Sequence, residues 1–192
     1  GLSIAARLKQ LDVDTLVLEK NKRIGDNWRN RYHTLTLHNQ VQVNHLPYMP
    51  FPPTWPTYIP KDKLAGWFET YADAMELNVW TGTKVENGQY DSNNQLWSVD
   101  VKSSDGRQRT LRPKHIVMAT GVSGIPNLPS DLQGLGDFAG TTLHSEEYTE
   151  GTAWQGRKAL VLGTGNSGHD IAQDLHANGA SVIMIQRSPT MV

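Results

Sequence analysis

Six consecutive residues, Gly163-Thr164-Gly165-Asn166-Ser167-Gly168, have the types and the spacing to hold a pyrophosphate. In a G-x-G-x-x-G turn the first glycine permits the tight bend and the second lets backbone N–H groups approach the phosphates. The third lets helix and strand pack closely, and the anion rests at the positive helix N-terminus. A merely glycine-rich turn is the alternative, and the flanks weigh against it. An apolar run, Ala159 to Leu162, leads into the turn, and a second strand, Ser181 to Ile185, follows the helix. Beyond that strand stand Arg187 and Ser188, where an NAD site carries an acidic residue for the ribose 2′-OH. An arginine there pairs with a 2′-phosphate and favours NADPH over NADH. The competing reading is a solvated arginine at a strand end.

The elements that position this turn recur at the start of the chain. Leu2, Ala5, Ala6 and Leu8 share a helical face, and Thr15 to Leu18 is a buried strand ending at Glu19. The spacing from Gly1 to Glu19 matches that from Gly168 to Arg187 within one residue. Gly1 therefore falls where the third glycine of another fingerprint stands, and Glu19 is the ribose-binding carboxylate of a cofactor without a 2′-phosphate, FAD or NAD. Arginines and aromatics alternate from Arg23 to Tyr32. An anion or flavin contact by Gly25 and Trp28 competes there with a packed loop bearing solvated arginines, and no wider basic face supports single-stranded nucleic acid.

The proline-rich stretch Leu46 to Pro60 is extended and rigid, and its Tyr48, Phe51, Trp55 and Tyr58 point to packing on its own domain. A helix is predicted from Lys61 to about Leu77, with Leu64, Trp67, Phe68, Tyr71 and Met75 on the core face. From Thr83 a small β-meander turns at Asp105-Gly106 and feeds an apolar strand, His115 to Ala119, that returns to the main sheet. A proline- and glycine-bearing linker then leads into the second unit.

Composition narrows the class further. A chain of 192 residues with formal net charge −1 has no electrostatic footprint for nucleic acid, and no apolar run nears the roughly 18 residues of a membrane span. Without cysteine there is no disulfide or thiolate metal site, which suits a reducing, cytoplasmic setting. The seven histidines show no metal spacing with carboxylates, so no metal is expected. Asp170 and Asp174 read as a solvated helix face. Gly1 and Val192 both read as cuts through a longer chain.

The linker also holds Phe138-Ala-Gly140-Thr-Thr-Leu-His144-Ser-Glu-Glu-Tyr148, which matches FxGxxxHxxxY just upstream of the second fingerprint. On this motif, both fingerprints, the Gly25 and Trp28 loop, Leu46-Pro47 to Phe51-Pro52, and Ala119-Thr120-Gly121, the chain resembles the flavin-containing monooxygenases over essentially its whole length, with the proline-rich segment closest to the plant YUCCA-type and microbial branch. The resemblance implies an α/β fold of two Rossmann-type dinucleotide-binding domains with a β-meander. A partial FAD domain would span 1–125, the linker 126–150, and the beginning of the NADPH domain 151–192. FAD contacts would come from Gly1, Glu19, Gly25, Trp28, Val85, Thr120 and Gly121, and NADPH contacts from Gly163, Gly165, Asn166, Ser167, Gly168, Arg187 and Ser188. Phe138, Gly140, His144 and Tyr148 would couple NADPH binding to the flavin, with His144 in a conformational role.

Where family members carry an asparagine near the flavin, this chain has His38 followed by Asn39, and both are candidates for the polar group at the oxygen site. The implied reaction is NADPH-dependent reduction of FAD, formation of a C4a-hydroperoxyflavin with O₂, and transfer of one oxygen to a nitrogen, sulfur or activated carbon centre of a small molecule, as in the N,N-dimethylaniline monooxygenase type. The nearest rival is a Baeyer–Villiger monooxygenase, whose related motif ends in tryptophan where this chain has Tyr148. A disulfide reductase built on the same paired domains needs a Cys-x-x-Cys that is absent. The non-enzyme alternative is a dinucleotide-binding sensor or an inactive fragment, and the piece in hand is expected to be inactive alone.

Overall fold

In a computed structural model the described residues are 1–121, 125–129 and 132–186. They fall into two compact units, one drawn from Gly1–Arg29 and Gln40–Val122 and the other from Asn30–Asn39 and Ser123–Val192.

In the first unit Gly1 precedes helix α1 (Leu2–Lys9), whose Ala5 and Ala6 are buried. Strand β1 (Val17–Leu18), shorter than the expected Thr15 to Leu18 and half-buried, follows and leads into Glu19. A short helix α2 (Asp26–Arg29) comes next, and then α3 (Lys61–Ala74), whose Leu64, Ala65, Tyr71 and Ala72 are buried on one face. Strand β2 (Val79–Trp80) pairs in parallel with β1, Val17 opposite Val79 and Leu18 opposite Trp80.

The proline-rich stretch packs on α3 through Phe51 and Trp55, whereas Tyr48 and Tyr58, expected to pack with them, are exposed. Phe51 stacks on Trp55 with ring centroids 5.0 Å apart, and Trp67 of α3 meets Trp55 edge-on at 5.2 Å. Rings at such distances gain pairing energy beyond their buried area. The Tyr71 hydroxyl donates to the Pro47 carbonyl at 3.0 Å, so the most buried ring of α3 also anchors the segment through its polar end.

An antiparallel meander of β3 (Thr83–Asp91), β4 (Leu96–Ser103) and β5 (Gln108–Leu111) follows, with a bulge between Val85 and Asn87. Its inner face rests on Val99 and Val101. The expected strand from His115 to Ala119 is not formed among the described residues. Its residues have no ladder partner, and Val117 and Met118 are exposed instead of buried, because an apolar run becomes a core strand only when another strand meets its backbone.

The second unit is a parallel β-α-β hand. Strand β6 (Lys158–Leu162) runs beside β7 (Ser181–Ile185) in unbroken register, and α4 (Asn166–Ala177) crosses between them. Ile171 and Leu175 bury the inner face of α4, closed by Ala180. Alternation limits what the strands bury: Ala159, Val161, Val182 and Met184 are half-buried, while Leu160, Leu162, Ile183 and Ile185 are exposed on the opposite face. The apolar run into the glycine turn is thus a strand with one face exposed among the described residues. Helix-flanked parallel strands in each unit, with the meander, make this an α/β fold of Rossmann-type dinucleotide-binding units. Among the described residues no helix is long and apolar enough to cross a membrane.

Candidate functional site

The glycine turn has the shape its sequence requires. Gly163 sits at φ +102°, a conformation that a side chain disfavours, and its amide donates to the Ile185 carbonyl at 2.9 Å. A Cβ on Gly168 would lie 2.5 Å from the Gly163 carbonyl oxygen, so the first turn of α4 sits against the strand-to-helix loop only because no side chain intervenes. A Cβ on Gly163 or Gly165 would meet nothing within 4 Å. The three glycines therefore bend, leave room and pack close, in that order. The open room lies at the N-terminus of a twelve-residue helix, where unpaired N–H groups and the helix dipole favour an anion. The residues present fit a dinucleotide pyrophosphate. Arg187 and Ser188 lie outside the described residues.

Two polar clusters surround α4. In the first, Asp170 Oδ2 accepts from the Tyr32 hydroxyl at 2.7 Å and lies 2.9 Å from His38 Nε2. The other ring nitrogen, His38 Nδ1, is 3.1 Å from Asn166 Nδ2, and Ser167 also hydrogen-bonds Tyr32. Burial first, then the bond to Asp170 and its negative charge, raise the Tyr32 hydroxyl pKa well above its ordinary value, while the Ser167 bond acts in the opposite sense. Asn166 and Ser167, two polar members of the fingerprint, are thus both tied to the 30–39 segment.

In the second cluster the motif tyrosine anchors the helix. The Tyr148 hydroxyl donates to Asp174 Oδ2 at 2.6 Å, the Gly151 amide donates to the same oxygen at 2.8 Å, and Asn178 Nδ2 donates to Oδ1 at 3.0 Å. Tyr148 and Asp174 are 5% and 9% exposed. Desolvation and the Asp174 carboxylate again push the tyrosine pKa up. This overturns the reading of Asp170 and Asp174 as a solvated face, because each carboxylate has a tyrosine partner. A signal was present in the sequence: Asp174 shares the helical face of Ile171 and Leu175, and a carboxylate there has to be paired.

The rest of the motif is more local. The Phe138 ring lies so close to Gly140 that a Cβ there would be 2.5 Å from it. The His144 amide donates to Glu147 Oε2, and His144 Nδ1 accepts from the Glu146 amide, so the imidazole closes its own turn.

In the first unit the expected flavin contacts are spread along the chain. A Cβ on Gly1 would stand 3.7 Å from Val17 Cγ1 and 3.8 Å from Ala119 Cβ, ordinary contacts that do not by themselves require glycine. Glu19 follows β1, and its Oε1 accepts from the Asn21 amide at 2.8 Å. Gly25, at φ +87°, has no room for a side chain: a Cβ would lie 2.6 Å from the Ala65 carbonyl oxygen. The Trp28 amide donates to the Gly25 carbonyl. Val85 is exposed beside the β3 bulge, and Gly121, after Thr120, has φ +79° with open space around it. The Trp67 indole N–H is buried with no partner among the described residues.

The nearby arginines are not open anion receptors. Arg29 bonds Asp26 and Glu69 at 3.0 and 2.7 Å, and Arg23 meets the other Glu69 oxygen at 2.9 Å. Of the two readings of this stretch, the packed loop describes Arg23 and Arg29, except that carboxylates rather than water hold them. Among the described residues no group of histidines and carboxylates is placed to hold a metal.

The sequence profile of the flavin-binding monooxygenase-like family matches residues 12–192. The whole chain is similar, at 36% identity, to a probable indole-3-pyruvate monooxygenase of Arabidopsis thaliana, YUCCA3, of which it covers 45%. It is equally similar, at 36%, to the indole-3-pyruvate monooxygenase YUCCA1 of Oryza sativa subsp. japonica, covering 46%. A doubly substituted flavin monooxygenase from Stenotrophomonas maltophilia matches 99% of this chain with TM-score 0.86 and 25% identity, over 55% of its own length. The chain thus spans about half the length of the relatives it matches.

Proposed function

The chain belongs to the flavin-binding monooxygenase-like family, and from that premise we propose that it carries the cofactor-binding portions of an NADPH-dependent FAD monooxygenase. The observation that carries this reading is the glycine turn, open at Gly165 and closed at Gly168, at the N-terminus of α4. In the proposed assignment residues 1–125 hold FAD through Gly1, Glu19, Gly25, Trp28, Val85, Thr120 and Gly121. Residues 126–150 form the link, and 151–192 begin the NADPH part, with Gly163, Gly165, Asn166, Ser167 and Gly168 at the pyrophosphate and Arg187 and Ser188 at the 2′-phosphate. Bound FAD would supply the redox and oxygen chemistry at flavin C4a, with NADPH as hydride source and O₂ as oxygen donor.

The protein's own contribution is to hold and orient. The helix N-terminus and the backbone amides of the turn bind the phosphates. Tyr148, through Asp174, fixes α4 to the motif that precedes it. His38, with Asn39 beside it, remains the candidate polar group for the reacting end, and His144 serves the motif's conformation. A tryptophan at the position of Tyr148, as in the Baeyer–Villiger motif, has no phenol to give Asp174, which supports the monooxygenase reading over that rival.

The two plant relatives are named for indole-3-pyruvate, so the proposed substrate class begins with 2-oxo acids bearing an aromatic side chain, and the proposed setting is cytoplasmic. The test is O₂ uptake and product analysis with the full-length protein that carries this chain, NADPH, and a panel of 2-oxo acid, amine, thioether and ketone. Substrate-dependent O₂ uptake with an oxygenated or decarboxylated product is expected. NADPH binding without oxidation under every condition would favour a sensor and overturn the enzyme reading.

A further inference from the structure

The cluster at the first turn of α4 contains one imidazole, His38, and its hydrogen bonds define what adding a proton to it does. Asp170, as a carboxylate, only accepts, so the hydrogen facing it at 2.9 Å must be on His38 Nε2. In the neutral imidazole Nδ1 is then an acceptor, and it takes a hydrogen from the Asn166 amide at 3.1 Å. Asn166 is the first residue of α4, directly after Gly165, whose open side is the room for phosphate. Protonation puts a hydrogen on Nδ1 as well. The Asn166 amide can then bond the ring only by turning, with Oδ1 toward His38 and both N–H donors released. At the same step a positive charge appears beside the helix N-terminus.

The charged and titratable groups around the ring are Asp170 on α4 and, on its own segment, Tyr32 with Arg31 close to it. Tyr32 stays a neutral donor to Asp170, its ionisation displaced well above the ordinary value. The pair His38–Asp170 is therefore neutral overall when protonated and anionic when not. A phosphate arriving at Gly165 meets repulsion in the second state and a neutral pair with freed donors in the first.

We propose that His38 is a proton-controlled positioning residue for the dinucleotide, setting the orientation of Asn166 at the fingerprint turn, so that NADP⁺ binding draws a proton onto His38. This rests on the dinucleotide reading of Gly163 to Gly168. By linkage, a ligand that prefers the protonated form binds more tightly as pH falls, and raises the proton affinity of that group by the same factor. His38 is 37% and Asp170 28% exposed at the side chain, so water screens the effect, and a factor of about three to ten is expected.

The experiment is calorimetric titration of NADP⁺ into the full-length protein, with FAD bound, from pH 5.5 to 8.5 in buffers of different ionisation enthalpy, for wild type, His38→Gln and His38→Asn. The 2′-phosphate titrates in the same range, so the difference between wild type and variants is the quantity read. Wild type should take up more protons than either variant, and its affinity should rise about three- to tenfold more on acidification. Proton NMR of the wild-type histidines gives the same answer without a variant's folding at issue: the His38 midpoint should move to higher pH with NADP⁺. Equal proton uptake in wild type and variants, or an unmoved His38 midpoint with NADP⁺ bound, overturns this inference alone. No NADP⁺ binding by wild type overturns the dinucleotide reading, and this inference with it.

Discussion

Removing a single oxygen atom, by Tyr148→Phe, tests whether the motif tyrosine is an anchor for α4. The lost bond is 2.6 Å long, from a phenol 5% exposed to a carboxylate 9% exposed. Hydrogen bonds to charged groups contribute about 1.5–3 kcal/mol, and burial places this one within that range rather than at the smaller values of exposed pairs. Asp174 keeps the Gly151 amide and Asn178, so it is weakened but not orphaned. A loss of about 2 kcal/mol in denaturant unfolding is expected, equivalent to roughly 4–8 °C in Tm for a chain of this size.

A double-mutant cycle with Asp174→Asn should return a coupling of about 1 kcal/mol or more, since the two groups act as one unit. The pH dependence has a defined sign. The Tyr148 pKa is raised in the folded state, so its contribution is fully present below the unfolded value of about 10 and is lost as pH rises from there through the folded value. Tyr148→Phe should therefore flatten the alkaline loss of stability. A variant within about 0.5 kcal/mol of wild type, with an unchanged alkaline limb, would refute the anchor.

The fingerprint glycines should separate by role. Gly168→Ala places a Cβ 2.5 Å from a backbone oxygen that cannot move aside, so a loss of about 1–3 kcal/mol in unfolding together with weakened NADP⁺ binding is expected. Gly165→Ala meets no atom within 4 Å, so unfolding should change little while NADP⁺ titration shows the loss, because the methyl occupies the room for phosphate. Arg187→Ala should weaken NADPH about 10- to 100-fold and leave NADH nearly unchanged, the worth of one charge-assisted contact to the 2′-phosphate. Parallel titrations with the two dinucleotides check it, and an equal effect on both would remove the arginine from its assigned role.

The glycine turn was legible in the sequence because glycine has backbone consequences wherever it stands. A bend at φ +102° and a helix packed against a carbonyl both follow from the absence of Cβ. The aromatic stripe of α3 and the Asp105-Gly106 hairpin were legible through their period and turn chemistry. The His115 to Ala119 segment was not, since an apolar run says nothing of whether another strand reaches it.

Asp174 reads as a surface residue by its charge, whereas the helical face it shares with Ile171 and Leu175 is buried. The cluster of Tyr32, His38, Asn166 and Asp170 was out of reach for a different reason. Its members are joined across sequence separations of 128 to 138 residues, and side-chain pairing at that range has no periodic signature.

The most direct test of the central claim is the visible absorbance of the purified full-length protein, followed without O₂ as NADPH is added. The expected result is a bound flavin whose colour is bleached by one equivalent of NADPH and far more slowly by NADH, and restored when air is admitted. A colourless protein, or a flavin that NADPH leaves oxidised, would contradict it.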